Sequence, residues 1–151
     1  MTLIFPTVAS RGSAAQTEPP SAVQLRLRAF QRHLALWTLQ AWLSMFFIGA
    51  AYAKLTSPSD LLVILLGWPE GVDLAMVRAI SAVELSLAIG IVAPLLTWRL
   101  APVMAGSAIG LAGLTGFNLA LHLGRQEFGF AGLNLALAAA ALAVLIGRRN
   151  R

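Results

Sequence analysis

The chain has no cysteine among its 151 residues, so it carries no disulfide, no thiolate metal site and no dithiol redox couple of its own. Any electron-transfer role then needs a bound cofactor or a partner. Charge is scarce as well, with 11% of residues charged against about 25% in an ordinary soluble domain. There are two histidines, His33 and His122, and they fall at opposite ends of the apolar stretches. A histidine-bridged haem or metal site on one face is therefore not expected. No nucleophile constellation, metal motif or phosphate loop is present, which argues against a stand-alone enzyme.

What the chain has in abundance is apolar surface, at 58% of residues. A soluble domain of this size lacks the interior to hide so much Leu, Ala and Ile, whereas a lipid bilayer covers it. The formal charge of +5 does not point to nucleic acid, because the basic residues flank the ends of the apolar stretches. That is where membrane-surface charges lie.

Residues 1–21 show no sustained periodicity and end in Thr17-Glu18-Pro19-Pro20-Ser21, the pattern of a disordered tail. Their Leu3-Ile4-Phe5 is too short for a signal-peptide core and lacks a basic start, so no cleavage is expected. In residues 22–33, Leu25, Leu27 and Phe30 interleave with Arg26, Arg28 and Arg32, a basic amphipathic segment suited to lying against anionic headgroups. Four apolar spans fill residues 34–146: about Leu34–Ala53, Ala79–Leu96, Ala101–Leu121 and Gly129–Ile146. Each is long enough to cross about 30 Å of hydrocarbon. Residues 147–151 form a basic C-terminal tail. The expected fold is all-α, an antiparallel bundle of four transmembrane helices. Between the first two spans, Leu61–Leu66 is too short to cross and suits an interfacial helix or re-entrant turn anchored by Trp68. Trp37, Trp42 and Trp98 read as further interface anchors. Pro94 and Pro102 suit helix ends across a short turn.

Orientation follows from Lys and Arg. The N-terminal segment, the turn at 97–100 and the C-terminal tail hold Arg11, Arg26, Arg28, Arg32, Arg99, Arg148, Arg149 and Arg151, while the other side holds Lys54, Arg78 and Arg125. The imbalance puts both termini in the cytoplasm by the positive-inside rule.

Polar residues inside the spans are the candidates for function. Glu84 lies well inside the second span, where an unpaired carboxylate is costly. Lys54 closes the first span on the same side of the membrane. Asn118 and His122 share a face of the third, and Asn134 enters the fourth about one turn from its start. All five project into the outer half of the bundle, whereas Gln40, Ser44, Ser107 and Thr115 continue a polar lining inward. Arg78 lies around the helix from Glu84 and snorkels to the headgroups. Two readings of the cluster stay open: a clasp that fixes helix register, or a pocket for a ligand with a polar head. In the third span Gly106, Gly110 and Gly113 are expected to pack helices closely, with a homo-oligomer face as their alternative use.

The segments Phe46-Phe47-Ile48-Gly49-Ala50-Ala51-Tyr52-Ala53-Lys54-Leu55 and Ala79 to Leu95, the latter containing Glu84 and the Gly90 to Pro94 ending, resemble the DoxX-like family of small four-span bacterial membrane proteins. His122 and Asn134 also fit. Ala51 departs from the family, which often has glycine three residues before the lysine. The resemblance implies a place in the bacterial cytoplasmic membrane and an association with membrane redox or detoxification complexes. A quinone then becomes the expected ligand for Lys54, Glu84, Asn118, His122 and Asn134, with the bilayer and a membrane redox protein as partners. Relatives that help assemble other membrane proteins imply the alternative, a scaffold whose polar cluster is structural. A transporter would need an oligomer to form a pathway from four spans, and no ionisable residue is expected in the inner half of the spans to continue one.

Overall fold

The computed structural model describes residues 21–66 and 73–149; the expected tail, Ser21 apart, and Trp68 lie outside the described residues. Ser21 starts the first helix, α1 (Ala22–Thr56), through a capping box: its hydroxyl accepts from the Gln24 N–H at 3.3 Å and its own N–H donates to the Gln24 side chain at 3.1 Å. No proline occurs in Ala22–Thr56 and no glycine before Gly49, so the helix runs unbroken for 35 residues. The basic segment 22–33 forms the first three turns of α1 and runs without a break into the span. The expected segment after α1 is a short helix, α2 (Ser59–Leu66), with Leu62 buried.

The next helix, α3 (Leu74–Gly90), begins before the expected Ala79 because Asp73 caps it, accepting the Ala75 N–H at 3.1 Å. It ends at Gly90 because Pro94, four residues on, has no N–H to offer that carbonyl. Two 3-10 turns, Ala93–Leu95 and Trp98–Leu100, lead into α4 (Ala101–Gly124), with Pro102 in its first turn. Finally α5 (Phe128–Arg149) carries on past the expected boundary at Ile146, so Arg148 and Arg149 are helical.

Four of these helices are long and apolar enough to cross a membrane, and among the described residues there is no strand. The chain is an all-α, multi-pass membrane bundle. α1 packs along α3 and α4 along α5, with lesser contacts closing the ring between α3 and α4 and between α1 and α5. Each helix buries one side at steps of three and four residues, as in Leu43, Phe47, Ala51 and Lys54 of α1. The outward sides carry Met45, Ile48, Val83, Ile109 and Leu135, which face lipid.

The apolar core joins Leu43 and Phe47 to Ala88, Ile91, Met104, Leu111, Leu137, Ala141 and Val144. It fills the middle of the bundle and the end where α1 begins. Glycines let the helices meet there. A Cβ on Gly90 would stand 2.1 Å from the Ser107 hydroxyl, one on Gly110 2.8 Å from Leu87, and one on Gly147 2.5 Å from Leu36. Gly106 and Gly113 have open space instead. They share α4's outward side while its inward side is Met104, Ser107, Leu111 and Thr115, so of the three expected packing glycines only Gly110 meets a neighbouring helix.

Candidate functional site at the Lys54 end of the bundle

Beyond Phe47, Leu111 and Leu137 the interior turns polar. Lys54 sits in the last turn of α1 and Glu84 lies mid-way along α3, each 5% exposed. Lys54 Nζ donates to Glu84 Oε2 in a buried ion pair. A cation in a helix's last turn is favoured by the backbone carbonyls that end there. Ser81, one turn before Glu84, is buried and gives its hydroxyl to the Val77 carbonyl at 2.7 Å.

The second half of the layer is built by the turn between α4 and α5. Gln126 takes a positive φ of 60°, and the N–H groups of Gln126 and Glu127 return to the carbonyls of Leu123 and His122 at 3.1 and 2.9 Å. This is a Schellman ending with glutamine where glycine is usual. It folds Glu127 back onto α4, so that its Oε2 lies 2.6 Å from His122 Nδ1. Against an ionised carboxylate that nitrogen carries the proton, which leaves Nε2 as the acceptor of the neutral ring. The ring stacks on Phe130 with centroids 5.2 Å apart, and the Phe130 carbonyl accepts from Asn134 Nδ2 at 2.9 Å.

Of the five residues expected to cluster, Lys54, Glu84, His122 and Asn134 are buried at this one end of the bundle. Asn118 is half-buried on α4. They form two groups: a Lys54–Glu84 pair on α1 and α3, and a His122–Glu127 pair with Asn134 on α4 and α5. Thr115 is buried on the same helix and bonds the Leu111 carbonyl at 2.8 Å. Glu127 was not foreseen. A left-handed glutamine gives no signal in the sequence, and only its distance of five residues from His122 hinted at the pairing.

At the opposite end the expected polar lining of Gln40 and Ser44 is joined by Arg148, which was not foreseen there. Arg148 is 6% exposed. Its Nε and Nη2 donate to Gln40 Oε1 at 3.1 and 2.7 Å, and its guanidinium lies 4.6 Å over the Trp37 ring. Gln40 in turn donates to the Ile91 carbonyl at 2.8 Å and Ser44 to the Ala88 carbonyl at 2.8 Å. His33 is contacted by Arg148 Nη1 at 3.2 Å and by the Trp37 indole N–H at 3.1 Å. This end of the bundle thus also holds a buried cation. The spacing Leu137, Ala141, Val144, Arg148 continues α5's inward face and was the signal available.

The model of the DoxX-like family matches residues 38–144. The chain belongs to the DoxX-like family. The match takes in the second and third spans whole and most of the first and fourth, with Lys54, Glu84, His122 and Asn134, while the first turns of α1 and Arg148 lie outside it. No curated protein and no solved structure matches the chain.

Proposed function

We propose that this DoxX-like protein is a quinone-associated subunit of a membrane redox or detoxification complex in the bacterial cytoplasmic membrane, with both termini cytoplasmic and no enzyme activity on its own. The observation that carries this reading is the change of interior at the Lys54 end, where the apolar core gives way to buried Lys54, Glu84, His122 and Asn134, with the half-buried Glu127 at the rim. Ionisable groups at membrane depth mark ligand or proton sites. Lys54 and the Asn134 amide supply donors for quinone carbonyl oxygens. The His122–Glu127 pair offers a proton donor and acceptor to the quinol form, and the lipid-facing helix sides suit an isoprenoid tail.

A second reading is favoured by one observation. Every buried side-chain nitrogen and oxygen among the described residues has a hydrogen-bond partner, as in a clasp that fixes helix register for a scaffold or assembly factor. Purification of the native protein and of Glu84→Gln in mild detergent, with mass spectrometry of co-eluting proteins and extracted lipophilic compounds, separates the two. Quinone present with the native form and lost in the variant supports the ligand site. No quinone with either form, together with a specific membrane protein bound to both, overturns it in favour of the scaffold.

A further inference from the structure

The polar layer at the Lys54 end is closed toward the middle of the bundle. There Leu43, Phe47, Leu111 and Leu137 are all buried, and apolar side chains packed in this way leave no line of water or hydrogen bonds along which a proton could travel. Within the layer Lys54 and Glu84 are buried against each other, and 11% of the His122 side chain is exposed. Glu127 differs, with 35% of its side chain exposed. It stands in the turn between α4 and α5 and is the ionisable member of the layer in open contact with the surroundings at that end.

Three features join Glu127 to the interior. Through the left-handed Gln126, its backbone N–H reaches the His122 carbonyl at 2.9 Å, while its Oε2 lies 2.6 Å from Nδ1 of the same residue. Backbone and side chain of Glu127 are thus both tied to His122. The His122 ring also stacks on Phe130, with planes 22° apart, which holds the line from Nδ1 to the carboxylate. Finally Nε2, on the far side of the ring, makes no hydrogen bond to a described residue. It is the atom that a ligand's hydroxyl can reach.

We infer that Glu127 is the proton port of this layer, exchanging protons between His122 and the water at the Lys54 end of the bundle and at that end alone. A hydroxyl of a bound ligand gives its proton to Nε2, which makes the ring an imidazolium. The ring passes its Nδ1 proton to the Glu127 carboxylate, and the carboxyl group releases it to water. The reverse sequence brings a proton in, and no electron moves in either direction. For its ligand the inference rests on the reading of the layer as a site for a quinone head group, whereas the port itself is built from the chain and works without one. A quinone held here would draw and release its protons on the side of the membrane where α1 ends.

Glu127→Gln separates a port from a structural tie, because the amide oxygen still accepts from Nδ1–H but cannot carry a proton. The substitution keeps the shape of a side chain at the rim, so folding is not at risk. The readout is the rate at which the His122 ring N–H exchanges with water, followed by NMR of the full chain carrying isotope-labelled histidine, in lipid nanodiscs at neutral pH with no quinone added. Only two histidines are present, and His122→Gln identifies the signal by its loss. The expected result is exchange several-fold slower in Glu127→Gln than in the native chain. Unchanged or faster exchange overturns the proposal, since a bond that only ties the turn shields the ring proton, and weakening it frees that proton sooner. No ligand enters the measurement. Slowed exchange therefore supports the port whether or not quinone co-purifies, and absence of quinone overturns the ligand reading alone.

Discussion

Glu84 and Lys54 hold each other in a setting where neither is stable alone. Replacing Lys54 by Met leaves the carboxylate buried without that cation, and breaking a buried pair from one side costs about 3–5 kcal/mol. Lys54→Met should therefore lower stability in detergent by that amount, while Lys54→Met combined with Glu84→Leu should recover most of it, because apolar groups of similar volume replace a buried pair at little net cost. Thermal unfolding of the three forms measures this. The double variant also serves as a folded control for quinone binding. At the other end, Arg148→Met strands the Gln40 carbonyl oxygen, with an expected loss of about 1–3 kcal/mol. Adding Gln40→Leu should then cost much less than it does alone, since the two act as one unit.

At the scale of the helices, space decides the outcome of glycine substitutions, and the spacing of glycines does not. Gly106→Ala meets nothing within 4 Å and should stabilise α4 by up to about 1 kcal/mol, the difference in helix propensity. Gly90→Ala drives a methyl into the Ser107 hydroxyl and should destabilise by about 1–3 kcal/mol, a loss that Ser107→Ala relieves. Equal effects of Gly90→Ala and Gly106→Ala in detergent melts would contradict the helix packing described. Gln126→Gly should be neutral or stabilising by up to about 1 kcal/mol, because the left-handed backbone there disfavours a side chain. The four spans were legible from length and apolarity alone, and Lys54 with Glu84 from their depth in the spans. Helix ends were less so: Asp73 extends α3 and Arg148 extends α5 through groups that hydropathy scores as outside the membrane. The partner of His122 was hidden because residue type does not reveal which glutamine adopts a positive φ. Glycine spacing in α4 was visible, but which side of α4 faces the core depends on the neighbouring helices.

For the whole molecule, the excess of arginine at the end where α1 begins is the basis for its proposed orientation. A single cysteine in place of exposed Arg149 should react with an impermeant maleimide only from the cytoplasmic side, and one in place of exposed Arg125 only from the outside. The opposite pattern would invert the bundle and move the Lys54 layer to the cytoplasmic half.

The bundle is held differently at its two ends. Where α3 meets α4 and α1 meets α5, the contacts at Gly90, Gly110 and Gly147 are short-range and stiff, because close-packed atoms resist small displacements steeply. At the other end the ties are long side chains and a turn, which keep their bonds over larger excursions. Thermal motion that parts the helices should therefore widen the Lys54 end while the glycine end acts as the fulcrum. A flat, polar-headed molecule would then enter sideways from the lipid, between helices, without the bundle having to come apart.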